Sequence, residues 1–473
     1  MFFCSRIINS QPTTNFWLAS EYNANNLHLY NGTNGTLNNN NRINTNNGRA
    51  VLESLIGQTE ESDCLIPLKD FITAYKTTRK KKRKKISQLL FEFNQAEGII
   101  DIFIAVNSFE YIQKPPIAFL LKKPCYRECI AADFSDRIVQ TIFVEKLTPV
   151  FEANHLQPNS FSCRVGKGSL AAARNLLEQM NKVSMCGKVS AWIFKTDIRS
   201  FFFSINTDLW FPKVAGLIRD LYHKPDVELI VYLARIIYQS APQTHCVMKT
   251  PPNVMAAALP PHKRMVGRDN GIGVCIGNRA SQFLCNIVTT PMLKKYKELG
   301  IDCSLYTDDC AGVTKDKNAL TKHILPTIAK YIWEVCGLKL HPKKVYIQHA
   351  SKGINFLAYR IKNGRITPSK RIVHNLRWYI TRTTAFYKGR PKLLAKNAEK
   401  VMQVVNSYFG LLKWCSAYRI RHWMRGRLIL TEGFGKVFNI TDTKITIRKK
   451  LSKYSIALEN NRKRKLKLKY SIL

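Results

Sequence analysis

Three aspartates are the residues whose type and spacing could do chemistry in this chain. Asp197 ends a strand-like stretch, and Asp308 and Asp309 lie together between two further strand-like pieces. Carboxylate oxygens, water and substrate phosphates are the ligands that Mg²⁺ prefers. Two such ions roughly 3.5–4 Å apart can activate an attacking hydroxyl and stabilise the leaving oxygen in phosphoryl transfer. The trio predicts such a site, although an Asp pair in a turn is also ordinary turn chemistry.

Local sequence patterns predict the elements that must position these carboxylates. Val189, Ala191 and Ile193 alternate with polar residues as in a strand. Residues Ile301–Leu305 and Cys310–Val313 predict a hairpin with Asp308 and Asp309 at its turn. After Arg371 the pattern changes to a helical period, with one apolar face at Leu394, Ala398, Val401, Val405, Tyr408 and Leu412. We expect a basic, mostly helical N-terminal part, a middle part that contains a β-sheet, and a helical C-terminal part.

The charge balance indicates a polyanionic partner. The 473 residues include 74 Lys or Arg against 32 Asp or Glu, a net charge of +42 with a pI near 9.9. Such an excess favours nucleic acid or an acidic membrane surface, and composition does not choose between them. The length predicts two or more sub-domains, and a hydrophobic share of 45% excludes wholesale disorder.

Membrane and redox signals are weak. No apolar run approaches the roughly 18 residues of a membrane-spanning helix, and Met1–Gln11 is too short for a signal peptide. The thirteen cysteines are scattered. We expect reduced, buried thiols in a cytosolic protein.

Two kinds of biased segment flank the globular sequence. Residues 23–47 are rich in Asn, and we expect residues 1–64 to be disordered. A second cluster of basic residues, Arg462–Lys469, closes the chain. Together with seven consecutive basic residues near the front, it favours contact with backbone phosphates over a merely solvated face. Those seven are Arg79, Lys80, Lys81, Lys82, Arg83, Lys84 and Lys85.

Five segments in order resemble motifs A to E of reverse transcriptases. They are KTDIRSFFFSIN, GIGVCIGNRASQFLCNI, SLYTDDCAGV, GLKLHPKKVYI and GINFLAYRI. Upstream, KKPCYRECIAADFSDRIVQTIF and SFSCRVGKGSLAAARNL are similar to motifs of the fingers. Downstream, NSYFGLLKWCSAYRIR resembles the thumb of the diversity-generating retroelement enzymes, and the isoleucine-glycine form of motif B also fits that subgroup. Val274-Cys275 and Ala358 depart from the usual Leu-Pro of motif B and Gly of motif E.

The resemblance implies an α+β fold, a right-hand polymerase with fingers, a palm with an antiparallel sheet, and a helical thumb. The implied boundaries are residues 65–185 for the fingers, 186–365 for the palm with a fingers insertion at about 208–270, and 366–473 for the thumb with a basic tail. Residues 1–64 would be an extension that precedes the polymerase.

The resemblance also implies roles for individual residues. Asp197, Asp308 and Asp309 would hold two Mg²⁺ ions, and either Lys343 or Lys344, with Lys344 preferred, would stabilise or protonate the leaving pyrophosphate. Phe202 would be a steric gate against ribonucleotides, or else a core aromatic. The nucleotide and template surface would include Arg164 and Lys167 on the triphosphate, with Ile276, Gly277, Ser281 and Gln282. The primer grip would include Phe356, Leu357 and Tyr359.

The implied activity is RNA-directed DNA synthesis, with template RNA, cDNA and deoxynucleotides as partners. In the diversity-generating subgroup a small basic accessory protein assists, and copying is error-prone at template adenines. The implied setting is the cytoplasm of a bacterium, with a bacterial or phage gene and no membrane partner. Alternatives are a retron, group II intron or phage-defence reverse transcriptase, an RNA-dependent RNA polymerase, and a basic RNA-binding protein whose polymerase has decayed.

The N-terminal segment has its own hypothesis. Residues from about Thr13 to Val51 resemble the variable end of the lectin-like target proteins of these retroelements. Both Asn codons begin with two adenines, so a template used for adenine mutagenesis would encode many Asn residues. The segment is therefore either a translated template repeat or a low-complexity tail.

Overall fold

The computed structural model describes residues 26–31, 36–41, 65–80, 85–122, 125–362 and 364–448. The helices of eight residues or more are α1 (Leu68–Arg79), α2 (Ile86–Phe93), α3 (Gln95–Asn107), α4 (Phe134–Asn154), α5 (Ser169–Val183), α6 (Thr207–Leu221), α7 (Val227–Tyr238), α8 (Arg279–Glu298), α9 (Leu325–Cys336), α10 (Lys370–Tyr387), α11 (Ala398–Leu412) and α12 (Tyr418–Ile429). Shorter α-helices span Phe201–Ser204, Pro242–His245, Pro252–Ala258, Lys317–Ala319, Pro391–Lys396 and Phe434–Val437.

The strands are short. They are β1 (Asn26–Asn31), β2 (Thr36–Asn41), β3 (Ile117–Leu121), β4 (Arg127–Ala131), β5 (Trp192–Asp197), β6 (Val247–Met248), β7 (Cys303–Tyr306), β8 (Asp309–Thr314), β9 (Tyr346–His349), β10 (Ile354–Phe356), β11 (Tyr359–Lys362), β12 (Arg365–Pro368), β13 (Phe438–Ile440) and β14 (Ile445–Ile447). The mixture of helices with mainly antiparallel strands agrees with the predicted α+β class.

The chain forms two compact units, each built from separate stretches of sequence. The first contains Met1–Pro158, Ile198–Lys294 and Ile328–Leu340, and the second contains Asn159–Asp197, Lys295–Thr327 and His341–Leu473. These limits do not follow the boundaries predicted for the fingers, palm and thumb, which stay predictions. No helix within the described residues is long and apolar enough to cross a membrane.

The first unit is mainly helical around α4, a helix of which most side chains are buried. Asp133 caps α4, with its side chain accepting a hydrogen bond from the backbone N–H of Ser135. Phe143 and Phe151 of this helix both pack edge-to-face against Phe283. A three-stranded sheet, in the order β4-β3-β6, lies in the same unit.

The second unit contains the sheet that carries the aspartates. Its strand order is β7-β8-β5-β9, and every neighbouring pair is antiparallel. Buried side chains of α5, including Ala172 and Leu176, pack in one core with Ile193 and Val313 of this sheet. The same core includes residues of the three-stranded meander β10-β11-β12. The sheet is therefore held on a packed face, which fixes where its strand ends lie.

The C-terminal helices have a core of their own. Leu376, Val401, Val405 and Phe409 are buried in it, together with Met424 of α12. The predicted apolar face is confirmed for Val401, Val405 and Leu412, although a break at Asn397 divides the predicted helix in two. Tyr408 is half-buried, and the neighbouring Phe409 takes the fully buried position instead, because the helix turns by 100° per residue and brings Phe409 closer to the centre of the face.

Several sequence expectations need correction. All described cysteines are free, as expected, but Cys125, Cys163 and Cys186 are exposed because they lie in loops. The strand predicted around Val189 begins only at Trp192, since Met185, Cys186 and Gly187 have a left-handed backbone just before it. Of residues 1–64 the structure describes the antiparallel hairpin β1–β2; the others up to residue 64 lie outside the described residues, and both the expected disorder and the template-repeat hypothesis stay predictions.

A glycine in the middle of β8 gives the first test. A Cβ on Gly312 would lie 2.7 Å from the Phe194 ring and 2.9 Å from the sulfur of Cys303. We expect Gly312→Ala to destabilise the second unit by about 1–3 kcal/mol, because a packed core does not yield easily to added volume. Gly410→Ala is the control, since nothing lies within 4 Å of its added methyl, and it should stabilise α11 by about 0.5–1 kcal/mol. Urea unfolding followed by circular dichroism distinguishes the two changes, and equal effects would contradict this packing.

Candidate functional site

The sheet register brings the three aspartates to one edge. β5 runs antiparallel to β8 with Asp197 opposite Asp309, the last residue of one strand against the first of the other. β8 pairs with β7 so that Asp309 also lies opposite Tyr306. Only Thr307 and Asp308 connect these two strands, which confirms the predicted hairpin, hereafter the carboxylate hairpin (Cys303–Thr314). Asp197 therefore shares one sheet edge with Asp308 and Asp309, from which it is distant in sequence.

Burial and mutual repulsion disfavour the ionised forms of the two hairpin acids. Burial, with the negative charges of Asp309 and Asp197, raises the pKa of Asp308 to about 6. Burial also raises the pKa of Asp309, while Lys195 and Lys344 act in the opposite direction. Because like charges this close repel, a bound cation would stabilise the cluster.

Lys344 supplies a positive charge in direct contact with Asp197. Its Nζ lies 2.7 Å from Oδ2 of Asp197, a charge-assisted hydrogen bond with a half-exposed lysine. The loop that carries Lys344 is tied to the same strand end, since the backbone N–H of His341 donates to the carbonyl of Asp197 (2.8 Å). Lys343 has only a backbone contact, from its N–H to Nδ1 of His341. Of the two lysines that the sequence left open, Lys344 is the one that contacts Asp197.

The carboxylates have the right chemistry for a divalent cation, but their side chains are not closed around one. Within the described ranges, no group of three or more His, Cys, Asp or Glu side chains is arranged to hold a metal ion. One oxygen of Asp197 is engaged by Lys344 instead. The oxygen-only donor set and the repulsion between the acids both fit Mg²⁺. Binding would require these side chains to rearrange around the cation.

Arg164 and Lys167 lie in one loop of the second unit, Asn159–Gly168, hereafter the basic loop. Arg164 donates from Nη1 to the carbonyl of Ser160 (2.8 Å), and Nζ of Lys167 lies 5.2 Å from the centroid of the Phe161 ring. Between them, Val165 is 98% exposed. Gly166 has φ +72°, so the backbone turns sharply where the two cations are presented.

The predicted primer grip forms the tight turn between β10 and β11. Phe356 and Tyr359 face each other across this turn, and both side chains are buried in the core. Leu357 has φ +56° and is half-buried. The two aromatic rings are therefore core residues, and the turn backbone with Leu357 is the part that could contact a primer.

The remaining predicted nucleotide contacts lie in the first unit. The carbonyl of Phe202 accepts a hydrogen bond from the N–H of Val274 (2.8 Å), which ties the predicted gate to the segment that precedes Ile276. Gly277 has φ +105°, and a Cβ there would meet nothing within 4 Å. Ser281 is buried and lines a small cavity, while Gln282, on the same helix, is half-buried.

The structure describes only part of the basic run Arg79–Lys85. Arg79 ends α1, and its Nε lies 2.5 Å from Oε1 of Glu92, so part of its charge is neutralised within the unit. Lys80 and Lys85 lie on either side of a gap in the described residues. Lys81, Lys82, Arg83 and Lys84 lie outside them, as does the cluster Arg462–Lys469.

The sequence reading missed a set of exposed aromatic rings covered by cations in the C-terminal helices. The guanidinium of Arg382 lies 4.8 Å from the ring centroid of Trp378, and Nζ of Lys413 lies 4.5 Å from that of Trp414. Both tryptophans are exposed on one side. Phe386 and Arg390 repeat the spacing of four residues seen at Trp378 and Arg382. That spacing places two residues on one helix face, and it could have identified the first pair from sequence.

Comparison with known proteins finds matches among solved structures. No family model matches the chain, and no curated protein matches it. Among solved structures, apo telomerase from Candida tropicalis truncated from the C-terminal domain is similar at a TM-score of 0.40 and 13% identity, over 55% of this chain and 56% of that one. Apo telomerase from Candida tropicalis matches at 0.41 and 12%, over 67% and 62%.

A third solved structure is telomerase from Candida albicans in complex with a TWJ fragment of telomeric RNA, at a TM-score of 0.39 and 12% identity, over 73% and 64%. This chain therefore spans less than two thirds of the length of each of these structures.

The burial of Asp308 and its repulsion by the neighbouring acids predict a gain in stability when its charge is removed. The folded-state pKa of Asp308 is raised above its usual value of 3.8, so at pH 7 the ionised cluster destabilises the metal-free fold, and the penalty fades as pH falls through 6 towards 4. We expect Asp308→Asn to raise the thermal midpoint of the metal-free protein at pH 7. The expected gain in the free energy of unfolding at pH 7 is on the order of 1–3 kcal/mol.

The same substitution should have little effect at pH 4, where Asp308 is already protonated when folded. Differential scanning fluorimetry in EDTA at both pH values measures the difference. A midpoint at pH 7 that is unchanged or lowered would show that burial and repulsion do not disfavour the ionised form of Asp308 as described.

Proposed function

We propose that the protein is a reverse-transcriptase-like polymerase that copies an RNA template into DNA. The observation that supports this most directly is the register of β5, β8 and β7, which gathers Asp197, Asp308 and Asp309 at one sheet edge beside Lys344. Burial, with the charges of Asp309 and Asp197, raises the pKa of Asp308, so ionising this carboxyl costs free energy in the metal-free fold. The free-energy cost of holding these carboxylates close together is understandable if the site binds cations and phosphates.

Two Mg²⁺ ions would supply activation of the primer hydroxyl and stabilisation of the leaving oxygen. Asp197 and Asp308 would be the main ligands, with Asp309 beside them. Lys344, once released from Asp197, would be free to donate a proton or a hydrogen bond to the leaving pyrophosphate. Arg164 and Lys167 would bind the triphosphate, since cations on a glycine-rich loop suit that ligand.

The C-terminal helices would bind the nucleic acid. Exposed rings such as Trp378 and Trp414 can stack on bases or sugars, and the cations that cover them can reach phosphates. The net charge of +42 provides long-range attraction for the same ligand.

The finer assignments rest on sequence resemblance. Phe202 would exclude ribonucleotides, which favours DNA over RNA as the product. Membership of the diversity-generating subgroup, with its adenine errors and basic accessory protein, is proposed from motif B and the thumb segment. A retron, group II intron or phage-defence enzyme remains the alternative within the class, and a non-catalytic RNA-binding protein the alternative outside it.

A primer-extension assay on an RNA template tests the activity. We expect the wild-type chain to add deoxynucleotides in Mg²⁺ and to add ribonucleotides far more slowly. Asp308→Asn should reduce the rate of extension by several orders of magnitude, because it removes a charge from the metal ligands while keeping their shape. Near-normal extension by a folded Asp308→Asn protein would contradict the assignment.

Asp302→Asn is the matched control. Asp302 precedes β7 in the same unit and is exposed, so the variant loses the same charge near the same hairpin. It should extend primers like the wild type. If the wild-type chain binds RNA but never extends a primer, the non-catalytic alternative is favoured.

The proposed nucleic-acid surface gives a salt-dependence test. Neutralising Arg382 and Lys413 to Gln should weaken binding to a primer–template duplex and lower the slope of log K against log salt by about one for each phosphate that is no longer neutralised. The control changes Arg219 and Lys295 to Gln, which removes the same number of positive charges. These two side chains are already paired with Glu228 and Glu298. Fluorescence anisotropy at several salt concentrations provides the measurement. Equal slopes for the two variants would show that net charge alone governs binding.

A further inference from the structure

The start of the basic loop runs alongside the carboxylate hairpin. The N–H of Leu305 donates to the carbonyl of Asn159, and the N–H of Phe161 donates to the carbonyl of Leu305, each at 2.9 Å. Ser160 therefore pairs with Leu305 in parallel orientation, at the outer edge of β7. Two residues further along both segments, Ser162 reaches Thr307.

Thr307 occupies a backbone position that its side chain disfavours. It has φ +59°, whereas Asp308 is not among the residues with positive φ, as in a type II′ turn. Such turns usually have Gly at the first central position, and a β-branched residue in the left-handed region is rare. Asp308 follows directly, so its carboxylate depends on a turn that needs outside support.

The support is a hydrogen bond between two hydroxyls. Oγ of Ser162 lies 2.7 Å from Oγ1 of Thr307, and Ser162 is buried, so water competes little for the contact. Ser162 is also two residues from Arg164, which folds back onto the carbonyl of Ser160. One short contact therefore joins the loop with the cations to the turn with Asp308.

We propose that Ser162 is a positioning residue, whose bond to Thr307 holds the Asp308 turn and couples it to the basic loop. This inference rests on the proposed function of the carboxylates and extends it to a residue that touches neither metal nor nucleotide. Binding of a triphosphate by the basic loop would thereby be transmitted to Asp308 through the Ser162–Thr307 bond.

Ser162→Ala and Thr307→Val each remove this bond with little change in volume. Each should lower kcat for single-nucleotide addition about three- to tenfold, the range expected for loss of one intramolecular hydrogen bond, with unchanged affinity for primer–template. The double variant should be no worse than either single variant, because both remove the same contact. Thr307→Ser keeps the hydroxyl and should remain within about twofold of the wild type.

Ser304→Ala is the control. Ser304 lies in β7 of the same hairpin, and its buried hydroxyl donates to Oδ1 of Asn175 instead of to the turn. A general loss of packing would affect both serine variants alike. If Ser162→Ala lowers kcat no more than Ser304→Ala does, or if the effects of the two single variants simply add, the proposal is wrong.

Metal binding gives a readout that needs no polymerisation. Titration of the full chain with Mn²⁺, followed by electron paramagnetic resonance of the free ion, should show affinity weakened about threefold or more by Ser162→Ala and unchanged by Ser304→Ala. Equal affinities would overturn the proposal. If the wild type binds Mn²⁺ through Asp308 yet does not extend primers, the proposed function fails, while the same titration still decides the role of Ser162.

Discussion

Three largely buried carboxylates of like charge, held at one sheet edge, are the constraint that the surrounding sheet and loops must accommodate. Strand pairing holds the backbones of Asp197 and Asp309 opposite each other, and Asp308 directly precedes Asp309. The sheet in turn is anchored by the packing of α5 and by the small Gly312, which leaves room for Phe194. The fold is therefore less stable at this sheet edge than it would be without the charges, and the paired strands keep the carboxylates in position for a ligand.

Lys344 and the Ser162–Thr307 bond limit the loss of stability at the carboxylates in different ways. Lys344 offsets the charge of Asp197 directly, and it can leave because its side chain is half-exposed. The hydroxyl bond maintains the geometry of the turn without adding charge. A site that keeps its shape while its counter-charge can be exchanged is suited to taking up and releasing cations and phosphates.

The excess of positive charge is arranged in more than one way. In the C-terminal helices, cations cover exposed aromatic rings, so charge and stacking surface occur together. Arg79 at the front is instead paired with Glu92. Since the counter-charges are few, most of the net charge remains available for a polyanion.

The sequence by itself determined the acids, the hairpin that carries two of them and the apolar face of α11, because alternation and helical periodicity are local signals. It favoured Lys344 over Lys343 without deciding between them, since that choice depends on which side chain reaches β5 across a loop. It also gave no sign of Ser162, whose role depends on the parallel pairing of two segments more than 140 residues apart. The burial of Phe356 and Tyr359 was likewise decided by tertiary packing, because the motif specifies a turn and not the direction of its side chains.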